Sequence, residues 1–156
     1  MKLISGTFWR LKETARAGEI LAPAHRPEGR FHHSGQKAIY LSETPEGCQV
    51  AMSYYARPGD PDQSLFALLL QNARVVDLRD AAQCGRLGID PANANMRWQN
   101  ERAAGNVAST WAISDAARAA GADGMLNPSR SRPDLTHLVL FRWNGPNEPV
   151  LTLSEG

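Results

Sequence analysis

Cysteine is scarce: Cys48 and Cys84 are the two in a chain of 156 residues. That excludes a disulfide scaffold, and both read most simply as small, reduced apolar side chains of a cytoplasmic protein. Long apolar runs are missing too. The longest nearly apolar stretch, Leu65 to Leu70, falls far short of the ~20 residues that span a bilayer. The opening MKLISGTFWRLKET has no apolar segment of the kind a secretory signal needs. A protein that is neither exported nor bound to a membrane is expected. Nor is charge of one sign in excess. The 17 Lys and Arg face 16 Asp and Glu, a formal net charge of +1, so direct contact with nucleic acid is not expected.

Several chemistries are excluded by residues that fail to line up. The glycines at positions 29, 35, 85, 88, 121 and 124 lack the spacing of a phosphate loop or a dinucleotide fingerprint, which disfavours kinase and Rossmann readings. His25, His32, His33 and His137 have no zinc spacing with the two cysteines. Adjacent side chains of an extended loop also point opposite ways, so no metal site is expected. Ser129 and Ser131 lie in Pro-Ser-Arg-Ser-Arg without a nucleophile elbow, which argues against a hydrolase triad.

What is present suits one domain over residues 1–156. Apolar residues make up 42% and charged residues 21%, the usage of a chain that folds alone. Thr7 to Leu11 has strand-forming bulk, and Ala22 to Gly35, rich in Pro, Gly and His, reads as a long loop that carries a site. Ala38 to Ser42 reads as a short strand. Thr44-Pro45 then opens a helix whose inward stripe is Cys48, Ala51, Met52 and Tyr55, stopped by Pro58-Gly59. Leu65 to Leu70 and Arg74 to Leu78 predict two strands broken at Gln71-Asn72, and Pro91 starts a short helix that includes Trp98. Ser109 to Ala120 predicts a helix capped by Ser109 and ended by Gly121. Gly124 to Asn127, His137 to Trp143 and Val150 to Leu153 predict strands. Strands outnumber helices without strict alternation, so an α+β fold is expected, with a mixed, mostly antiparallel sheet and flanking helices.

The candidate site lies in Gly29-Arg30-Phe31-His32-His33-Ser34-Gly35-Gln36-Lys37-Ala38-Ile39-Tyr40-Leu41-Ser42. A guanidinium clamps phosphate oxygens in two parallel hydrogen bonds, while Tyr and Phe offer stacking faces. An anionic ligand bearing a flat ring, such as a dinucleotide, fits this chemistry. A solvated Arg30 and a core Tyr40 fit the residue types equally well. Farther on, Trp111-Ala112-Ile113-Ser114-Asp115 and Gly124-Met125-Leu126-Asn127-Pro128-Ser129-Arg130 place a serine just past a strand end, where binding loops lie. Trp111 and Trp143 are assigned to the core.

With Val75-Val76-Asp77-Leu78, the order and spacing of these segments resemble the RES domain family, the toxin half of a class of bacterial toxin-antitoxin pairs. The resemblance runs from about Arg10 to Phe141. It implies a fold related to the ADP-ribosyltransferase toxins and a site that binds NAD as substrate. The reaction it implies is cleavage of the nicotinamide–ribose bond, with ADP-ribose passed to a protein or to water or phosphate. Its partner would be an Xre-like antitoxin with a helix-turn-helix domain. Arg30 and Ser129 match the arginine and serine of the family's name. Arg30 is assigned to the pyrophosphate, Tyr40 to the nicotinamide ring, and Ser129 with Asn127 to the ribose or carboxamide. His32, Ser42 and Tyr55 are assigned to binding the same NAD.

The family's glutamate is not matched, since Ala51 stands at its position. Such a carboxylate stabilises an oxocarbenium-like state. Glu43 or Glu46 could substitute, or His32, Ser53, Tyr54 or Tyr55 could carry the step. A non-catalytic nucleotide- or protein-binding module of the same fold is the alternative.

Overall fold

The computed structural model describes residues 1–53 and 56–154. In chain order its elements are β1 (Lys2–Glu13), β2 (Ile39–Ser42), α1 (Pro45–Ser53), β3 (Gln63–Asp77), α2 (Ala81–Arg86), α3 (Trp98–Ala103), α4 (Ser109–Ala119), β4 (Gly124–Pro128), β5 (Thr136–Leu140) and β6 (Val150–Leu153). Two 3-10 turns, Thr14–Glu19 and Pro91–Asn95, lie between them.

The strand pairing closes on itself. β1 runs antiparallel to β3 from Glu13↔Gln63 to Lys2↔Val75, and meets β2 at Trp9↔Ser42. β2 pairs with β5 and β5 with β4, both antiparallel, and β4 lies parallel to β3. β6 occupies the remaining edge of β3, at Leu68 to Gln71. With one parallel pair in the sheet and helices beside it, the architecture is the expected α+β.

Side chains along a strand alternate between faces, and here the alternation sorts the apolar residues into two cores. Ile39, Leu41, Val75, Leu126, Leu138 and Leu140 point to one face, where they meet Phe8, Leu68 and Leu70. Val76, Met125, Val139 and Tyr40 point to the other, which α2, α4 and the second 3-10 turn cover with Cys84, Ile113, Ala117 and Ala94. Each fully buried Leu, Ile or Val contributes about 1.5–3 kcal/mol.

Several expectations need correction. The break at Gln71-Asn72 is a bulge inside one continuous strand. Ser5 alone separates Ile4 from Gly6 on β1, whereas two residues separate Leu70 from Ala73 on β3. Asn72 takes φ 62°, and its N–H donates to the Ser5 hydroxyl at 3.0 Å. Asn tolerates this left-handed backbone, so the strand bends and continues. The helix expected from Pro91 through Trp98 is two pieces, because Met96 is extended, with ψ 148°. Ser109 does not cap α4. It is the first helical residue, and the Glu101 carboxylate of α3 accepts from its N–H at 2.9 Å and from its hydroxyl at 2.5 Å. Gly121, at φ 83°, ends α4 as expected. The strand expected from His137 to Trp143 ends at Leu140, and α2 was not anticipated. Among the described residues no helix is long and apolar enough to cross a membrane.

Candidate functional site

Three strands place a polar row beyond the apolar face. Ser42, His137 and Asn127 are direct cross-strand partners, one residue pair farther along than Tyr40, Val139 and Met125 on the same face. The Ser42 hydroxyl and His137 Nδ1 lie 2.7 Å apart. Burial, helped by the charge of Arg30, pushes the His137 pKa down to about 4, so its imidazole is neutral at physiological pH.

Over this row lies the loop expected to carry a site, and α4 holds it. Three successive carbonyls of the loop each receive a donor from this helix. Trp111 Nε1 donates to Gly29 at 2.8 Å, the Thr110 hydroxyl to Arg30, and the Arg118 guanidinium to Phe31 at 2.9 Å. Arg118 also donates to the Lys37 carbonyl at 3.1 Å and stacks on Phe141. Phe31 is sealed in the core beneath. Loop backbone that would otherwise be solvated is thereby fixed in place. Trp111 therefore does more than pack, and Trp143 likewise donates to the Leu21 carbonyl at 2.9 Å.

The loop's own side chains are ordered by Tyr40. Its hydroxyl accepts from the Phe31 N–H at 3.0 Å and lies 2.6 Å from His32 Nδ1. His32 Nε2 faces the Arg26 carbonyl at 2.8 Å. A carbonyl only accepts, so Nε2 carries the proton and Tyr40 donates to Nδ1. Burial lowers the His32 pKa, in keeping with that neutral tautomer. Gly29 is required where these groups meet, because a Cβ there would lie 2.3 Å from His32 Cε1 and 2.9 Å from the Tyr40 hydroxyl. His33 points the other way, as adjacent loop residues do. It stacks on Trp111 and meets the Asp115 carboxylate at 2.9 Å.

Arg30, His32, Tyr40, Ser42, Asn127 and Ser129 all line one cavity of about 590 Å³, a volume usual for small-molecule sites. The Arg30 guanidinium donates to Asn127 Oδ1 at 3.2 Å and to the Ala94 carbonyl at 2.6 Å. Ser129 lines the cavity, and its hydroxyl accepts from the Arg132 N–H at 3.3 Å, so it also shapes its own turn. Tyr55 and Tyr54 lie outside the described residues. Ser53 is exposed and donates to the Val50 carbonyl at 2.7 Å, away from the lining. Among the described residues no cluster of three or more His, Cys, Asp or Glu could hold a metal.

Sequence reasoning missed the far wall. Arg10 and Lys12, which share a face of β1 with Phe8, are buried at the cavity margin. Arg10 donates to the Ile20 and Ala22 carbonyls at 2.6 and 2.9 Å, and burial pushes its pKa down to about 10. Burial and the charges of Arg10 and Arg16 lower the Lys12 pKa. Among the described residues, seven Lys and Arg line the cavity against two acids, Glu13 and Glu28. A near-neutral chain thus concentrates positive charge in this cavity, which suits an anionic ligand. The available signal was two cations alternating with Trp9 and Leu11 in a strand.

Among curated proteins no sequence matches this chain. A solved structure, that of the MbcT–MbcA toxin-antitoxin complex of M. tuberculosis, contains a chain with the same fold. The two superpose with a TM-score of 0.63 at 18% identity, over 98% of this chain and 83% of the other. Residues 6–152, nearly all of the closed sheet and both walls of the cavity, match the family model of the RES domain, and the chain belongs to the RES domain family.

Proposed function

We propose that this protein is the toxin of a toxin-antitoxin pair and that it acts on NAD, cleaving the bond between ribose and nicotinamide. The observation that carries this reading is convergence. An arginine from the early loop and a serine from the late turn, 99 positions apart in sequence, line a single cavity of about 590 Å³ rich in positive charge. Arg30, whose guanidinium is anchored in the lining by Asn127 and Ala94, would meet the pyrophosphate. Ser129 with Asn127 would hydrogen-bond the ribose or carboxamide, with Ser42 in the same lining, and Tyr40 would border the nicotinamide ring. ADP-ribose passes to a protein acceptor or to water or phosphate. The partner is an antitoxin with an Xre-like helix-turn-helix domain; any contact with DNA runs through it. The solved relative is itself described as a toxin-antitoxin complex, which supports the pairing.

The test is purified protein mixed with NAD, with free nicotinamide followed over hours and adenine-labelled NAD used to trace the ADP-ribose. Nicotinamide release by the wild type and its loss in Arg30→Ala are expected. No release and no labelled product from the wild type would sink the proposal. A binding module is the second reading, favoured by the methyl group that Ala51 presents to the cavity. It predicts NAD binding that depends on Arg30 without any nicotinamide released.

A further inference from the structure

We infer that Glu13, at the end of β1, is the catalytic carboxylate of this cavity, the group that stabilises the cationic ribose as nicotinamide leaves. This rests on the NAD reading above and adds a residue to it.

Breaking the bond between ribose C1′ and the nicotinamide nitrogen sends the electron pair to nicotinamide, which leaves neutral. C1′ becomes an oxocarbenium cation. An acceptor hydroxyl then forms the new C1′–O bond and gives up its proton. In a cavity lined by so many cations, the developing positive charge needs an anion beside it. A carboxylate supplies that charge and takes the acceptor's proton.

The acids narrow to one. Among the described residues the cavity's acids are Glu13 and Glu28. Glu28 Oε2 is held by Arg102 Nη2 at 3.0 Å, and its Oε1 accepts from Arg102 Nε at 3.2 Å. Glu43 and Glu46 do not line the cavity, and Glu46 is paired with Arg132 at 3.1 Å. Among the described residues none takes up the Glu13 carboxylate in a hydrogen bond or ion pair, although Lys12 and Arg16 sense its charge.

Its position follows from how α1 packs on β1. Leu11 and Glu13 share one face of the strand. The Cys48 thiol of α1, its pKa pushed up by burial, contacts the Leu11 backbone. One helical turn beyond Cys48 come Ala51 and Met52, both lining the cavity; Met52 and Glu13 also line an adjoining recess of about 400 Å³. Glu13 and Met52 thus border both hollows, and Ala51, next to Met52 on α1, lines the larger one with only a methyl group.

The experiment compares wild type, Glu13→Gln, Glu13→Asp, Glu46→Gln and the double variant Glu13→Gln with Ala51→Glu, each checked by circular dichroism and thermal unfolding. NAD affinity and nicotinamide release are measured separately. Glu13→Gln should lower kcat about a hundredfold or more while NAD affinity stays within about threefold. The wild-type kcat is expected to fall at acid pH, and that fall should be absent in Glu13→Gln. Glu13→Asp should retain part of the rate, and Glu46→Gln all of it. A carboxylate returned from α1 in the double variant should restore part of the loss. A folded Glu13→Gln whose kcat stays within about threefold of wild type overturns the assignment and leaves the NAD reading standing. If Glu13→Gln does not fold, a Glu13→Asp variant that folds and loses nothing in rate or pH profile overturns it equally. A wild type that binds NAD and releases no nicotinamide overturns both.

Discussion

The two walls of the cavity are built on opposite principles. On the side of the 22–37 loop, polar groups are spent on one another: α4 holds three successive carbonyls, and Tyr40 and His32 lock each other's hydrogen-bonding roles. On the side of β1 and α1, Arg16 is paired with Glu19 at 2.7 Å, but the charges on β1 itself stand in the lining without that mutual satisfaction. Lys12 and Glu13 have no hydrogen-bond or ion-pair partner among the described residues, and Arg10 is anchored only by carbonyls that carry no counter-charge. A wall that is already tied fixes where a ligand lies and loses little order on binding. Charges without a partner among the described residues would be completed by a ligand.

The comparison is broken most severely at Gly29. An alanine methyl there would have to displace the His32 ring and the Tyr40 hydroxyl together. Gly29→Ala should cost about 3 kcal/mol in urea unfolding, the upper range for forced overpacking, and abolish NAD binding. Unchanged stability would mean that the loop is less tightly determined than its contacts imply.

The next effect sharpens the comparison through pH. His137 titrates near 4 in the folded chain against 6.5 ordinarily. Between those values the unfolded chain holds a proton that the folded one does not, so stability rises with pH. The contribution is fully present above the ordinary value and is lost as pH falls through the folded one. From about pH 7 to about pH 5 it amounts to about 2 kcal/mol. Urea titrations of wild type and His137→Asn should diverge by that amount over this window. Parallel curves would show that the histidine is not held neutral.

The fixed wall was more legible in the sequence than the charged one, for a physical reason. Gly29-Arg30-Phe31 and Tyr40-Leu41-Ser42 are local patterns, with a long loop feeding a short strand, and Asn127 and Ser129 sit where a strand runs out. Their convergence needed the β2–β5–β4 register, which sets Ser42, His137 and Asn127 side by side and which no spacing along the chain displays. His137 was read as part of a buried strand, and only its cross-strand neighbours make it a site residue. Arg10, Lys12 and Glu13 were hidden because β1 reads as a strand from its bulky residues, while the side of the sheet that its cations face is settled by closure of the ring through Trp9↔Ser42. α4 follows from its periodicity and from Gly121 at its end, although its expected N-terminal cap does not hold. The bulge at Asn72 was misread because a break in β-branched composition looks the same whether the chain turns or merely bends.

The smallest effects test whether α4's contacts or general surface pairing hold the fixed wall. Thr110 is fully buried and donates to the Arg30 carbonyl. Thr110→Val keeps its shape and leaves that carbonyl without its donor, so a loss of about 1–2 kcal/mol is expected, with weaker NAD binding as Arg30 shifts. Arg132 makes more ion pairs, bridging Asp134 and Glu46 at 2.9 and 3.1 Å, yet all three side chains are largely exposed. Water screens such pairs and side-chain entropy opposes them. Arg132→Gln should leave the thermal unfolding midpoint unmoved in 0.1 M and in 1 M salt alike. A clear drop that high salt removes would show that the turn carrying Ser129 is held from outside by charge, and the division between the two walls would have to be redrawn to include the surface.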